Sequence, residues 1–269
     1  MRRAVLNKLD VRRHKPMDRT PYQLPFSVER VPAWSCPMCR AGFLTLDVKS
    51  LVSKETAASL REHEHPAWEP DWIRHVFSCV FECSNAKCKE PVSCCGVGQV
   101  ELVEYEDEEF GWAQTTQDRF TPEYFQPHLL LMEIPTKCPF EVCGHLFESF
   151  TLFFADPGAS LNCARTAVEA VLTDLGIKRF AVVKNKRKPI NLHQRILLLP
   201  QKYKEQVDLL LAVKWLGNSG SHDGEKPTAA DVRITYDLLE HVLSEIYEEK
   251  GKKLKAIAKR VNKKKGPLK

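Results

Sequence analysis

Side chains suited to acid–base chemistry follow an apolar stretch in the C-terminal half of the chain. Lys214 is the only charge in Leu209–Leu216, and Gly217-Asn218-Ser219-Gly220-Ser221-His222 comes directly after it. At 3.6 residues per turn, Lys214, Asn218 and His222 fall four apart on one helix face. The spacing predicts an ammonium, an amide and an imidazole in line, with His222 able to exchange protons near neutral pH.

The same residues permit an interpretation without chemistry. Gly217 would then end the helix, residues 218–224 would form a loop, and His222 would hydrogen-bond within its own turn. Gly-Asn pairs are common in turns, so residue types alone leave both interpretations open.

The cysteines predict a metal centre. The N-terminal sequence lacks the apolar core of a signal peptide, so we expect a cytoplasmic protein in which ten cysteines favour metal ligation over disulfides. Cys36 and Cys39 have two residues between them, and Cys83 and Cys88 have four. Two such pairs are typical of a zinc ribbon, in which four thiolates hold a structural Zn²⁺ and leave no open position for catalysis. The alternative is two unrelated pairs of buried cysteines.

The other cysteines give weaker signals. Cys79 shares strand parity with Cys83 and is an alternative ligand. Cys94 and Cys95 are adjacent and rarely reach one ion together, so we interpret them as packing or accessory residues. Cys138 and Cys143 can form half of a second site, but the sequence offers no clear partner pair.

Two kinds of scaffold must position these residues. Residue types that favour strands precede Cys83, whereas helical periodicity dominates the C-terminal half. We therefore predict an α+β protein with an N-terminal zinc-ribbon-like β-rich domain and a C-terminal helical bundle. The predicted segments are a basic, proline-rich arm (1–30), the β domain with a helical insert at 50–63 (31–120), a proline-rich linker (121–141), a four-helix bundle (142–249) and a basic tail (250–269).

Start and stop signals define the bundle. Asp156-Pro157 predicts the start of its first long helix and Gly176 the end. Asn191 predicts the N-cap of a short helix, and Thr228 predicts a capping box at the start of the last long helix. Between the first long helix and this short helix, Lys178–Pro189 contains six Lys or Arg and no acid. This composition predicts a loop that can contact phosphate.

Charge is segregated along the chain. The net charge is +5, but residues 250–269 carry ten Lys or Arg and no acid, and residues 1–20 carry seven bases against two acids. The basic termini favour an anionic partner. The lysine-rich tail either only increases solubility or, in the more specific interpretation, contacts nucleic acid. A membrane is disfavoured, because the apolar stripe of the tail is thin and no apolar run approaches the roughly 20 residues of a membrane span.

The stretch from Leu209 to Gly224, together with Ala159–Gly176, resembles a bacterial family of unknown function related to the HEPN (higher eukaryotes and prokaryotes nucleotide-binding) domains. The resemblance implies a HEPN-like helical bundle, and many HEPN proteins are metal-independent ribonucleases that pair Arg–His motifs across a homodimer. If this chain resembles those ribonucleases in activity, His222 acts as base or acid and Asn218 orients, and we assign Lys214 as the phosphate clamp.

Two further features of the resemblance concern arginine. An Arg followed by a Glu recurs in the first helix of the family, so Arg165 and Glu169 are either a supporting pair at the site or a surface ion pair. Gly217 stands where the ribonuclease motif carries its Arg, and Lys214 lies one turn earlier. This departure favours binding over catalysis.

Three functions follow. The preferred one is a nucleic-acid-linked HEPN-like protein that binds RNA rather than DNA, in a bacterial defence or toxin system. The first alternative is a metal-independent endoribonuclease that uses His222. The second is a non-catalytic dimeric scaffold whose zinc ribbon docks a partner protein.

Overall fold

The computed structural model describes residues 17–107, 111–219, 226–248 and 250–267, which divide into two compact units. The β unit consists of Asp18–Leu130 with Phe150–Asp156, and the helical unit consists of Leu131–Ser149 with the residues from Pro157 onward. An antiparallel sheet followed by helices confirms the predicted α+β class.

The β unit is built on one antiparallel sheet with strands in sequential order. Each strand pairs with the next one along the chain, so the sheet is a meander. Its elements are a 3₁₀ turn Thr20–Gln23, β1 Leu44–Glu55, α1 Ala57–Glu62, a 3₁₀ turn Pro70–Trp72, β2 Arg74–Cys83, β3 Pro91–Asp107 and β4 Gly111–Gln126.

The helix predicted for residues 50–63 is wrong in its first half. Strand β1 continues to Glu55, and only Ala57–Glu62 is helical, capped by the Thr56 side chain, which accepts from the Ser59 N–H. Beyond an irregularity after Asp47, β1 regains its pairing with β2. Long-range pairing with β2 overrides the local helical spacing.

The described part of the predicted extended arm, residues 17–30, is anchored to the β unit by a few buried side chains. Phe26 exchanges backbone hydrogen bonds with Phe120 of β4, at 2.9 and 2.8 Å, and its ring is fully buried. Trp34 contacts Phe26 edge to face and donates its indole N–H to the Pro21 carbonyl at 2.8 Å. Buried aromatic rings therefore anchor this proline-rich segment.

The last two strands of the β unit form a long hairpin. The pairing of β2 with β3 reaches only Arg74↔Gln99, whereas β3 and β4 stay paired to Asp107↔Gly111. Residues 121–126, predicted as linker, belong to β4. A two-stranded ribbon with Glu101, Glu104, Glu106 and Asp107 on β3 thus extends beyond the pairing of β2.

The helical unit has a core of three mutually packed helices, α3, α5 and α6, and α4 packs on α5. Leu161, Val168, Leu210, Val213 and Leu239 are fully buried in it. The elements are α2 Phe140–Leu152, α3 Pro157–Asp174, β5 Phe180–Val183, β6 Lys186–Pro189, α4 Leu192–Leu197, a 3₁₀ segment Gln201–Gln206, α5 Val207–Ser219, α6 Ala229–Leu243, a π-helical turn Ser244–Glu248 and α7 Lys250–Lys264.

The predicted starts of three helices and the predicted end of the first long helix are confirmed. Helix α3 begins at Pro157, and Gly176, just past its end, has φ +76°. The Asn191 side chain accepts from the Gln194 N–H at the start of α4, and Thr228 forms a complete capping box at the start of α6. These signals are local hydrogen bonds, which explains why sequence alone reveals them.

The predicted basic loop is instead a β-hairpin. Strands β5 and β6 pair in antiparallel fashion, and Lys184 and Asn185 between them both have positive φ. Two positive-φ residues are the geometry that a tight two-residue hairpin turn requires. None of the helices in the described ranges has both the length and the apolar character needed to cross a membrane.

Candidate functional site

The sulfur atoms of Cys36, Cys39, Cys83 and Cys88 converge in the β unit. All four lie within 4.8 Å of one another, with 3.8 Å between those of Cys36 and Cys88 and 3.6 Å between those of Cys39 and Cys83. A tetrahedral Zn²⁺ with bonds of about 2.3 Å separates its sulfur ligands by about 3.8 Å. The predicted four-cysteine cluster is confirmed, and its geometry fits a structural metal.

Two matching turns present the thiols. The Arg40 N–H donates to the Cys36 carbonyl at 3.0 Å, and the Lys89 N–H donates to the Asn85 carbonyl at 3.1 Å. Arg40 and Lys89 each follow the second cysteine of a pair, with φ +54° and +53°. A non-glycine residue in this left-handed region is disfavoured by roughly 1–2 kcal/mol, so the surrounding contacts must hold both turns.

Hydrogen bonds from nearby N–H groups reach the sulfur atoms of the cluster. Asn85 directs its backbone N–H to Cys83 Sγ at 3.4 Å and its side-chain amide to Cys39 Sγ at 3.7 Å. Burial opposes ionisation of Cys39, but backbone N–H groups of Ala41 and Gly42 and the neighbouring thiols lower its pKa to about 6. Burial raises the pKa of Cys83 to about 12. Sequence reasoning missed Asn85, although it lies inside the second cysteine pair.

Cys79, Cys94 and Cys95 stay outside this cluster, which has four members among the described residues. Cys79 and Cys94 are direct partners across β2 and β3, and both are buried. A hydrogen bond with Cys79, together with burial, raises the pKa of Cys94. Cys95 is exposed, as alternation along a strand requires. The alternative ligand Cys79 is therefore wrong, and packing explains the buried pair.

Cys138 and Cys143 lie side by side at the start of α2. The Cys143 thiol donates to the Cys138 carbonyl at 3.7 Å, and both residues are half-buried. In the described part of the chain, no third metal-ligating side chain joins them. A second metal site at this pair thus receives no support.

In the helical unit, α5 does not end at Gly217. The helix runs to Ser219, so Lys214 and Asn218 lie on one continuous helix, whereas His222 lies outside the described residues. Gly217 is buried, and a Cβ added to it would lie 2.6 Å from Arg165 Cβ and 3.1 Å from the Leu161 carbonyl. The glycine lets α5 approach the backbone of α3 closely.

Arg165 is held at this crossing by two neighbours on its own helix. Its Nη1 donates to Glu169 Oε1 at 3.0 Å, and its Nε and Nη2 donate to Asn162 Oδ1 at 3.3 and 3.2 Å. The structure therefore brings Arg165 and Glu169 together and sets Arg165 against the turn that contains Gly217 and Asn218. Asn162 is a further member that the sequence interpretation missed.

The Lys214 side chain contacts the aromatic ring of Trp215. Its Nζ is 3.2 Å from the ring centroid of Trp215, whose surface is 58% exposed. The ring of His193 on α4 is 6.2 Å from that of Trp215, with an interplanar angle of 55°. The ammonium thus has a surface partner on its own helix, which the predicted stripe did not include.

Glu169 also forms part of the wall of a cleft of about 390 Å³ between α2 and α3. Arg195 reaches the same helix from α4: its Nη2 donates to Thr173 Oγ1 at 2.9 Å and to the Ile177 carbonyl at 3.2 Å. Burial lowers the pKa of Arg195, and Glu169 opposes this effect. The polar lining of the cleft is contributed by Glu141, His145, Thr166, Glu169, Thr173, Asp174 and Arg179.

The basic hairpin β5–β6 and the residues that lead into it form a concentrated positive segment. Residues 178–189 hold six Lys or Arg and no acid. Arg187 stacks its guanidinium 3.9 Å from the ring centroid of Phe180, and Val182 is 74% exposed. The basic helix α7 is also exposed from residue 256 to residue 264, whereas residues 1–16 of the arm lie outside the described residues.

Two family models match the chain. Residues 24–125 match one described as a domain of unknown function (DUF8608), and residues 147–264 match another described as a domain of unknown function (DUF4145). No curated protein and no solved structure matches the chain. The two matches fall on the β unit and the helical unit in turn, and they agree with a resemblance to families without an assigned activity. The relation to HEPN domains stays a prediction.

Proposed function

We propose that this protein is a HEPN-like RNA-binding protein, with RNA held by its basic surfaces and Zn²⁺ holding the cysteine cluster. The basic hairpin β5–β6 carries the proposal. An antiparallel ribbon projects alternate side chains to both of its faces, so its cations present a broad positive surface. Binding of phosphate by such a surface releases counterions and depends strongly on salt.

The hairpin is better suited to a nucleic acid than a lysine-rich tail would be. Its backbone is fixed by strand pairing, and Arg187 is pre-oriented by its stack on Phe180. A guanidinium held on an aromatic ring loses less rotamer freedom when it meets a phosphate. Helix α7 adds further exposed cations to the same unit, among them Lys259 and Arg260.

The test replaces Lys184, Lys186 and Lys188 together by Ala and measures RNA affinity over a range of salt concentrations. Each phosphate contact to a single strand contributes about 0.7 to the slope of log K against log salt. We expect a weaker affinity and a slope smaller by up to about 2.

A matched control removes the same charge from the β unit, by replacing the exposed Lys49, Lys54 and Lys87 with Ala. RNA affinity and slope should then stay near those of the wild type. An equal loss in both triple variants would show that net charge, rather than the hairpin, drives binding, and would refute the proposal.

A second candidate function, metal-independent RNA cleavage, is favoured by the contact between Arg165 and Gly217. Arg165 on α3 lies against Gly217 on α5, the position at which the ribonuclease motif carries an arginine. In this candidate Arg165 supports the transition-state phosphate, Lys214 clamps a neighbouring phosphate, Asn218 orients and His222 transfers the proton. RNA turnover that continues without added divalent metal, and is abolished in His222→Ala, is the expected result.

The setting proposed with these functions is that of a homodimer in a bacterial defence or toxin system, as the resemblance implies, in the cytoplasm, as the N-terminal sequence suggests. A non-catalytic scaffold that docks a protein is the remaining alternative. Sedimentation of the purified protein with and without RNA distinguishes them, because a pure scaffold would dimerise but leave RNA unbound.

A further inference from the structure

Trp215 is a large aromatic side chain exposed on the middle of α5. Its surface is 58% accessible, with the Lys214 ammonium against the ring and the His193 ring tilted beside it. An aromatic face next to a cation and a second ring is the combination on which unpaired bases stack in proteins that bind single strands. Neighbouring helices of the same unit hold all three side chains.

Only a few residues of chain separate this aromatic surface from the basic hairpin. The Ile190 N–H donates to the Arg179 carbonyl at 2.9 Å at the base of the hairpin, and Asn191 immediately caps α4. His193 follows two residues later, so even a fully extended chain from Pro189 to His193 would span no more than roughly 14 Å. A strand whose phosphates lie on the hairpin can therefore place a base on Trp215 within a few nucleotides.

The contact between Lys214 and Trp215 does not prevent stacking. A surface cation–π contact changes an equilibrium by roughly two- to fivefold. Stacking of one base on an aromatic side chain changes binding by roughly five- to hundredfold. An incoming base therefore displaces the ammonium, which has a flexible four-carbon stem and can turn to the adjoining phosphate.

We propose that Trp215, flanked by Lys214 and His193, is a stacking platform for an unpaired base of single-stranded RNA. The inference rests on the proposed function, because the hairpin supplies the phosphate contacts. It assigns the specificity of this protein to single strands rather than duplexes, in which the bases are already stacked on each other.

Four variants test the platform with two probes, a 12-nucleotide oligouridine and a 12-base-pair RNA duplex. Trp215→Ala removes the ring and Trp215→Phe keeps a smaller one. Trp112→Ala is the matched control, since Trp112 is 77% exposed but lies opposite Glu106 on the acidic ribbon. The Lys184/Lys186/Lys188 triple variant tests the hairpin separately.

We expect Trp215→Ala to weaken oligouridine binding roughly five- to hundredfold at every salt concentration, with the salt slope unchanged because no charge is removed. Trp215→Phe should recover most of this loss, and Trp112→Ala should bind like the wild type. Duplex affinity should stay the same in Trp215→Ala. Oligouridine should also quench tryptophan fluorescence in the wild type and much less in Trp215→Phe, a reading that does not depend on the alanine variant folding.

The outcomes separate the platform from the proposed function. Wild-type oligouridine affinity in Trp215→Ala, with weaker binding in the triple lysine variant, refutes the platform and leaves RNA binding by the hairpin intact. A contact of Trp215 with another protein would give this same result. Unchanged affinity in both variants refutes both proposals. Equal losses for oligouridine and duplex in Trp215→Ala overturn the stacking role, since a duplex offers no free base.

Discussion

Gly42 provides a direct test of the proposed metal centre, because an alanine there would collide with a cysteine of the cluster. An added Cβ would lie 2.6 Å from Cys83 Sγ and 2.9 Å from the Asn85 nitrogen that hydrogen-bonds to that sulfur. The backbone at Gly42 lies outside the positive-φ region, so alanine alone would stabilise the fold by about 0.4–1 kcal/mol. Overpacking costs typically about 1–3 kcal/mol, so the collision decides the sign.

We expect Gly42→Ala to destabilise the metal-bound β unit by about 1–2 kcal/mol, which corresponds to a metal affinity about 5- to 30-fold weaker. Competition for Zn²⁺ or Co²⁺ with a chromophoric chelator measures this affinity. Gly144→Ala on α2 is the control, since the structure shows nothing within 4 Å of its new Cβ in the described residues. That variant should gain about 0.5–1 kcal/mol of stability at unchanged metal affinity. If Gly42→Ala behaves like Gly144→Ala, the cluster is not a closed metal site.

Three other perturbations test the helical unit. Tyr236→Phe should cost about 1–2 kcal/mol in urea unfolding, because the buried Tyr236 hydroxyl lies 2.9 and 3.1 Å from two buried serine hydroxyls. Gly217→Ala should lower stability by about 1–3 kcal/mol in the same assay, because its Cβ must push α3 away from α5. Hydrogen bonds from the Thr228 backbone and hydroxyl lower the pKa of Asp231, so its contribution is present at neutral pH and is lost below about pH 4. Unfolding followed from pH 7 to pH 2 should show this loss in the wild type, and less of it in Asp231→Asn.

The four-cysteine cluster was predictable from sequence, but the contacts that support it were not. Ligand spacing within each pair is set by one tight turn, and a turn is a local property of the chain. Gly42 matters because of Cys83, and Asn85 matters because of Cys39. Each contact joins residues about forty positions apart, and only the pairing of β1 with β2 brings them together.

Segments whose structure depends on long-range pairing were predicted less well. Residues 50–55 have helical spacing but complete β1, because β2 provides an edge with free backbone groups. The proline-rich residues 17–30 look unstructured alone, yet Phe26 pairs with β4 and fills the core. Pattern reasoning succeeded where the decisive hydrogen bonds lie within a few residues, as at Asn191 and Thr228.

Gly217 shows why residue types left the helical site undecided. Glycine serves both as a helix stop and as a point of close helix approach, and the two uses look alike in sequence. The residue that packs against the glycine distinguishes the two uses. Arg165, fifty-two positions earlier, covers Gly217, and α5 continues past Gly217 to Ser219. Asn218 therefore stays on the helix with Lys214, which is the part of the predicted stripe that the described residues cover.

Under the proposed function, local charge rather than net charge should govern where RNA binds. At physiological salt, charges more than about 8 Å apart are largely screened, so a phosphate responds to the nearest patch. The acidic ribbon of β3 and β4 would repel a phosphate, and the hairpin β5–β6 would attract it. Trp215 would offer an exposed aromatic ring to a base. Charge placed on the hairpin should set the salt dependence, and the aromatic ring should set the preference for single strands.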